Sequence, residues 1–336
     1  MARPIDEFVA AWDALSSRGD GMGGWRGIPV APAGPCELLA ARRFPGNEEA
    51  LLAGFRNARL SPSERLPEGR GFEMVRADLN GDDRTWIALS RKESGSPDLF
   101  VEMVGDVVGA MDSEASAGEA SVLITMIRRV RMWQQFMARG ARPLGLEAEL
   151  GLAGELSFMT LLLDTGVLID SVLDGWVGPD DAPQDFRIGD GAIEVKATLS
   201  TAGFPAMVGS LDQLDDATVS PIFLAAVRFA LEEDGLTLPE ILSDVERRLV
   251  TDPGAASVLR EKLLTAGYVE SHAAAYTRRF AVRENRLYSI AEGFPRLTSG
   301  TVPDGVSRAI YEIQLDRATD HLSNLDVALR RLGAVE

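Results

Sequence analysis

The chain has 336 residues, 46% hydrophobic and 25% charged, a balance that suits a globular protein and excludes a disordered chain or a fibre. One cysteine, Cys36, excludes disulfides within the chain and a cysteine-based zinc site, and two histidines, His272 and His321, exclude a histidine-rich metal centre. No apolar run approaches the roughly 18–20 residues of a membrane span, and MARPIDEFVAAWDAL lacks the basic start of an export signal, so a cytoplasmic setting is expected.

At roughly 100–200 residues per domain, the length suggests two domains. A short amphipathic helix opens the chain, and the Gly/Pro-rich GDGMGGWRGIPVAPAGP reads as loop. FEMVRADL, TWIALSRK and LFVEMVG alternate loosely and are separated by turn chemistry at Asn80-Gly81 and Ser94-Gly95-Ser96-Pro97. They predict a small antiparallel sheet. From Glu119 to Arg139 the period becomes 3.6, with Leu123, Met126, Ile127, Val130, Trp133, Gln134 and Met137 on one helical face. Gly140 and Pro143 end it. The predicted division is therefore an α+β domain over 1–140 and a second domain over 141–336.

The second domain begins with a helix over 146–165, followed by short strands and turns to about residue 200. SLDQLDD reads as a helix start, and PIFLAAVRFAL as a buried strand. Helices are expected over 238–249 and 253–266, the first with Pro239 near its start. RFAVREN, RLYSIAEGF and AIYEIQL return to strands, and a closing helix over 317–332 stops at Gly333.

Within this domain, QDFRIGDGAIEVKA carries the chemistry. Asp190-Gly191 between two alternating runs predicts a two-residue hairpin turn pairing Ile188 with Ile193 and Phe186 with Val195. One face then holds Phe186, Ile188, Ile193 and Val195, and the other Asp185, Arg187, Glu194 and Lys196. The plain reading of that polar face is cross-strand ion pairing on a solvated sheet. The helix before it adds an acid: Glu155 lies about 60° from the middle of the stripe formed by Leu152, Leu156, Met159 and Leu163. An acid there is costly to bury unless it meets a cation, a metal or a donor. Gly151 and Gly154 flank it and permit close approach by another backbone.

The run GLAGELSFMTLLL, then WVGP, DFRI and AIEVK, resembles the PD-(D/E)XK nuclease superfamily, and within it a bacterial group associated with phage-defence gene clusters. The resemblance implies a restriction-endonuclease-like α/β core, a mixed central sheet flanked by helices over 145–235, with a C-terminal α/β extension. It matches Glu155, Asp185, Glu194 and Lys196 to the signature acids and lysine, and Gln213 to a glutamine that some members place beside the active site. Gln184 stands where the motif has proline, with Pro183 one residue earlier.

The implied activity is a Mg²⁺-dependent DNA endonuclease (Mn²⁺ able to substitute) acting in restriction or phage defence. Asp185, Glu194 and the Val195 carbonyl supply hard oxygen ligands, Glu155 serves a second ion or its water, and Lys196 orients the attacking water. Lysine is scarce, only Lys92, Lys196 and Lys262 against 31 arginines. The alternative is a catalytically silent DNA-binding or assembly subunit. Expected partners are DNA, helicase-like ATPases or methyltransferases, and a second copy of the chain.

Net charge is −17, awkward for DNA binding, but residues 141–220 alone carry −11, where divalent cations would offset it. Arg128, Arg129 and Arg131, and the cluster Asn285, Arg286, Tyr288, Phe294-Pro295-Arg296, are candidate DNA contacts. Trp176 reads as a packing residue.

Overall fold

The computed structural model describes residues 5–16, 23–79, 83–250 and 252–335. The chain divides into two units, Met1–Arg142 and Pro143–Glu336.

In the first unit, α1 (Asp6–Ser16) precedes β1 (Gly24–Ala33), β2 (Cys36–Phe44), β3 (Glu48–Phe55), β4 (Phe72–Ala77) and β5 (Thr85–Arg91); α2 (Pro97–Ser113) and α3 (Glu119–Ala138) follow. The strands form one antiparallel sheet ordered β1-β2-β3-β5-β4. The stretch read as Gly/Pro loop is largely β1. Its prolines are tolerated because β1 is an edge strand, where a missing N–H breaks no ladder on the open side. LFVEMVG is helix, within α2, and not strand. Ser96 caps α2 by accepting from the Leu99 N–H, Pro97 takes the first turn, and Phe100, Met103, Val104, Val107, Val108 and Met111 are buried at helical spacing. Seven residues that alternate loosely thus belong to a longer run of period 3.6. The Asn80-Gly81 turn lies outside the described residues.

The second unit contains α4 (Leu146–Asp164), α5 (Ile169–Gly175), β6 (Phe186–Ile188), β7 (Gly191–Thr198), β8 (Pro205–Val208), β9 (Ile222–Leu236), α6 (Leu238–Arg248), α7 (Pro253–Ala266), β10 (Phe280–Ile290), β11 (Tyr311–Gln314), β12 (Leu322–Ser323) and α8 (Leu325–Arg331). Its main sheet is mixed, ordered β12-β10-β9-β7-β6, with β7 and β9 parallel and the other pairs antiparallel. Ile193, Val195, Phe223, Ala225, Val227 and Phe229 pack in one core with side chains of α4, α5, α6, α7 and α8. Ala192, Leu224, Ala226 and Tyr288 pack in a second core with the small β8–β11 sheet. This is the α/β, restriction-endonuclease-like architecture.

Two expected helices are altered. SLDQLDD is loop, its carbonyls at Asp212, Gln213 and Leu214 accepting from the side chains of Gln184 and Arg296. The closing helix is only α8, because Asn324 caps it from Val327 and β12 occupies the residues before. Among the described residues no helix is long and apolar enough to cross a membrane.

Candidate active site

The β6–β7 hairpin turns at Gly189-Asp190, one residue earlier than the sequence suggests. Gly189 takes φ +58, and Ile188 pairs with Gly191, Arg187 with Ala192 and Phe186 with Ile193. The Asp190 N–H donates to the Leu332 carbonyl at 2.9 Å, which fixes the turn from outside. Against the expected pairing the register has moved by two residues, and a shift of two preserves the faces. Phe186, Ile188, Ile193 and Val195 are therefore buried as predicted, while Asp185 comes opposite Glu194 in place of Lys196.

Strand β6 is only three residues long, so β7 beyond Ile193 has little neighbour on that side. Asp185 sits at the opening and accepts from the Val195 N–H at 2.7 Å through Oδ2. Glu194 and Lys196 alternate with Val195 on β7, and Lys196 Nζ lies 2.7 Å from Glu194 Oε1. Gln213, from the loop after β8, accepts from Lys196 Nζ at 3.3 Å and from the Gly209 N–H at 2.7 Å.

Glu155 arrives from α4. A β-carbon built on Gly154 would stand 2.8 Å from that of Ala197 and 3.7 Å from Val195 Cγ1, so the glycine permits the helix to lie directly on β7. Gly151 faces open space. The segment Trp176–Gly178 closes over both acids. Trp176 is fully buried and its indole Nε1 donates to Glu155 Oε2 at 2.7 Å. The N–H groups of Val177 and Gly178 donate to the Asp185 carbonyl. A β-carbon on Gly178 would fall 2.8 Å from Asp185 Oδ1 and 3.3 Å from Glu155 Oε2. Lys262 Nζ in turn donates to the Trp176 carbonyl. Trp176 does pack, as its size suggests, and it also holds a site carboxylate; its short spacing from the DFRI run was the available signal.

Three acids thus share one lysine, with Glu194 buried and Glu155, Asp185 and Lys196 half-buried. Burial pushes Glu155 up to about 8, helped by the charge of Asp185 and opposed by the Trp176 indole and Lys196. Burial raises Asp185, against the Val195 N–H and the Lys196 charge. Glu194 is driven well above the ordinary carboxylate range by burial and by Asp185, with Lys196 opposing. Such a site disfavours negative charge unless a further cation enters it.

The expected metal set, Asp185, Glu194, Val195 and Glu155, meets around β7, where Val195 donates its N–H to Asp185 and both Glu194 and Glu155 feel the Asp185 charge. Among the described residues no three His, Cys, Asp or Glu side chains form a group that could hold a metal ion. One oxygen of each acid is engaged: Asp185 Oδ2 accepts from the Val195 N–H, Glu194 Oε1 from Lys196, and Glu155 Oε2 from Trp176. Glu194 Oε2, however, is buried with no hydrogen-bond partner. An orphaned carboxylate oxygen beside Asp185, in a centre of oxygen donors, suits a hard divalent cation.

Most of the candidate DNA contacts already have partners within the chain. Arg129 is buried and pairs with Asp106 at 3.3 Å; Arg131 meets Glu64. Arg286 is engaged by Glu284, Asp316 and the Tyr288 hydroxyl, while Tyr288 and Phe294 are core residues. Arg296 ties Asp216 and the Leu214 carbonyl. Arg128 and Asn285 are exposed. An arginine near a site in sequence carries no sign of whether an acid already neutralises it.

A mixed sheet flanked by helices, with an acid on the leading helix, an acid ahead of one strand and Glu-X-Lys on the next, defines the PD-(D/E)XK nuclease-like class. The family model described as "Putative PD-(D/E)XK family member, (DUF4420)" matches residues 8–316, and the chain belongs to that family. No curated protein and no solved structure matches the chain.

Proposed function

We propose that the chain is an endonuclease that hydrolyses DNA phosphodiester bonds with a divalent cation, in restriction or phage defence beside partner proteins. One observation carries this reading: three acids, Glu194 buried and Glu155 and Asp185 half-buried, converge on one lysine, and Glu194 Oε2 is left without a partner. Asp185, Glu194 and the Val195 carbonyl would hold Mg²⁺ or Mn²⁺, which when bound supplies positive charge for the phosphate oxygens.

The protein's own groups do the rest. Lys196, held between Glu194 and Gln213, presents its ammonium to the charge that develops on the phosphate and can orient the attacking water. Glu155, raised to about 8, can hold or release a proton near neutrality at the oxygen that Trp176 leaves free. The strap at Gly178 lies against the carboxylates of Asp185 and Glu155 and leaves no room for a side chain there.

A second reading, a silent subunit that keeps the fold for DNA or protein contacts, is favoured by Lys196 closing on Glu194 at 2.7 Å, an ion pair that neutralises the acid within the chain. Plasmid and phage DNA incubated with Mg²⁺ or Mn²⁺ and the neighbouring gene products separates the two. Wild-type protein should cut, and Asp185→Ala should cut at least about 100-fold more slowly. If wild-type and Asp185→Ala behave alike, the silent reading replaces this one.

A further inference from the structure

Gln184 immediately precedes Asp185, and its side chain is 1% exposed. Its amide Nε2 donates to two carbonyls of a distant loop, Asp212 at 2.9 Å and Gln213 at 3.2 Å. Its Oε1 is buried without a hydrogen-bond partner. Burying a carboxamide with its oxygen unsatisfied is unfavourable, so the donor end must do something that an apolar side chain cannot. The two protons on Nε2 serve both carbonyls, and a proline at 184 has no such donor.

The loop it holds is the one expected to be helical. Its carbonyls at 212 and 213 turn to Gln184, and that at 214 turns to Arg296, which also pairs with Asp216 at 2.8 Å. Gln213 leaves this loop with its Oε1 shared between the Gly209 N–H and Lys196 Nζ. The residue before the first strand acid is thus linked through one amide to the residue that touches the lysine.

We propose that Gln184 is a positioning residue: by binding the carbonyls of Asp212 and Gln213 it keeps the Gln213 side chain against Lys196. Its catalytic importance rests on the endonuclease reading, but the placement itself does not. Gln184→Met keeps the volume and removes the donor.

The test uses the full chain and two signals that need no activity: hydrogen exchange at the Gly209 amide, and the Lys196 side-chain resonance in lysine-labelled protein, simple to assign with only Lys92 and Lys262 beside it. Gln184→Met should speed Gly209 exchange about tenfold and move the Lys196 signal, leaving Lys92 and Lys262 in place. In a Gln213→Ala background the same substitution should move Lys196 no further. An unmoved Lys196 signal, or a full additional shift in the double variant, overturns the proposal.

Should Gln184→Met not fold, wild-type protein decides: a Gln184 side-chain amide exchanging like an exposed glutamine refutes the tie, and a protected one supports it. If wild-type protein cuts no DNA while the predicted shifts appear, the endonuclease reading falls and the placement of Gln213 stands. If wild-type cuts, Gln184→Met should lower kcat more than it changes KM; equal cutting with no shift of Lys196 removes the proposal alone.

Discussion

Burial raises Asp185 and lifts Glu155 and Glu194 above the ordinary carboxylate range, so their ionisation works against the fold when no added cation is present. The sign follows for Glu155. Below its ordinary value of 4.5 the acid is protonated in both folded and unfolded chains. Between 4.5 and about 8 the unfolded chain has released a proton that the folded site still holds, so stability falls as pH rises, and the loss is complete above 8. Glu155→Gln keeps the acceptor for Trp176 and removes the titration. In chelator, urea denaturation should show the variant gaining on wild type from pH 5 to 8, by on the order of 1–3 kcal/mol. Parallel curves would show that Glu155 ionises freely. Trp176 and Gln184 illustrate what was hidden at this scale: the motif names the acids and the lysine, while the groups that orient them carry no motif and announce themselves only through a hydrogen bond.

At the scale of elements, the site depends on how closely α4 lies on β7. Gly154 and Gly151 are one turn apart on the same helix and should respond with opposite sign. Gly154→Ala drives a methyl group into Ala197, 2.8 Å away, and should cost about 1–3 kcal/mol while displacing Glu155. Gly151→Ala meets nothing within 4 Å and should stabilise the helix by about 0.5–1 kcal/mol. Chemical denaturation of the two variants checks both; a stabilising Gly154→Ala would mean that helix and strand are not in contact there.

Legibility varied with periodicity for the same physical reason. The helices α3, α4, α6 and α7 and the strand β9 are long enough for their pattern to be unambiguous, and the apolar and charged faces of the hairpin survive a two-residue register error because side chains alternate. LFVEMVG was misread because seven residues cannot separate period 2 from 3.6 when a run continues beyond them. The strand β1 escaped because glycine and proline at an edge mimic loop, and the loop at 210–216 because its stabilising partner, Gln184, is 28 residues from Asp212 in the chain.

For the whole molecule, charge sets the conditions for function. A net −17, with −11 between residues 141 and 220, opposes an approaching phosphate backbone. Binding of duplex DNA, followed by fluorescence anisotropy at fixed ionic strength, should strengthen roughly tenfold or more when Ca²⁺ replaces chelator, because neutralising the acidic centre removes local repulsion. Equal affinity in both would place the DNA-binding surface away from this centre.

The most direct measurement is diffraction from a crystal soaked in Mn²⁺, recorded at a wavelength where manganese scatters anomalously. An ion should appear between Asp185 and Glu194, with the Glu194 carboxylate turned partly from Lys196 toward it. A well-ordered site with no manganese density there, and Glu194 still closed onto Lys196, would contradict it.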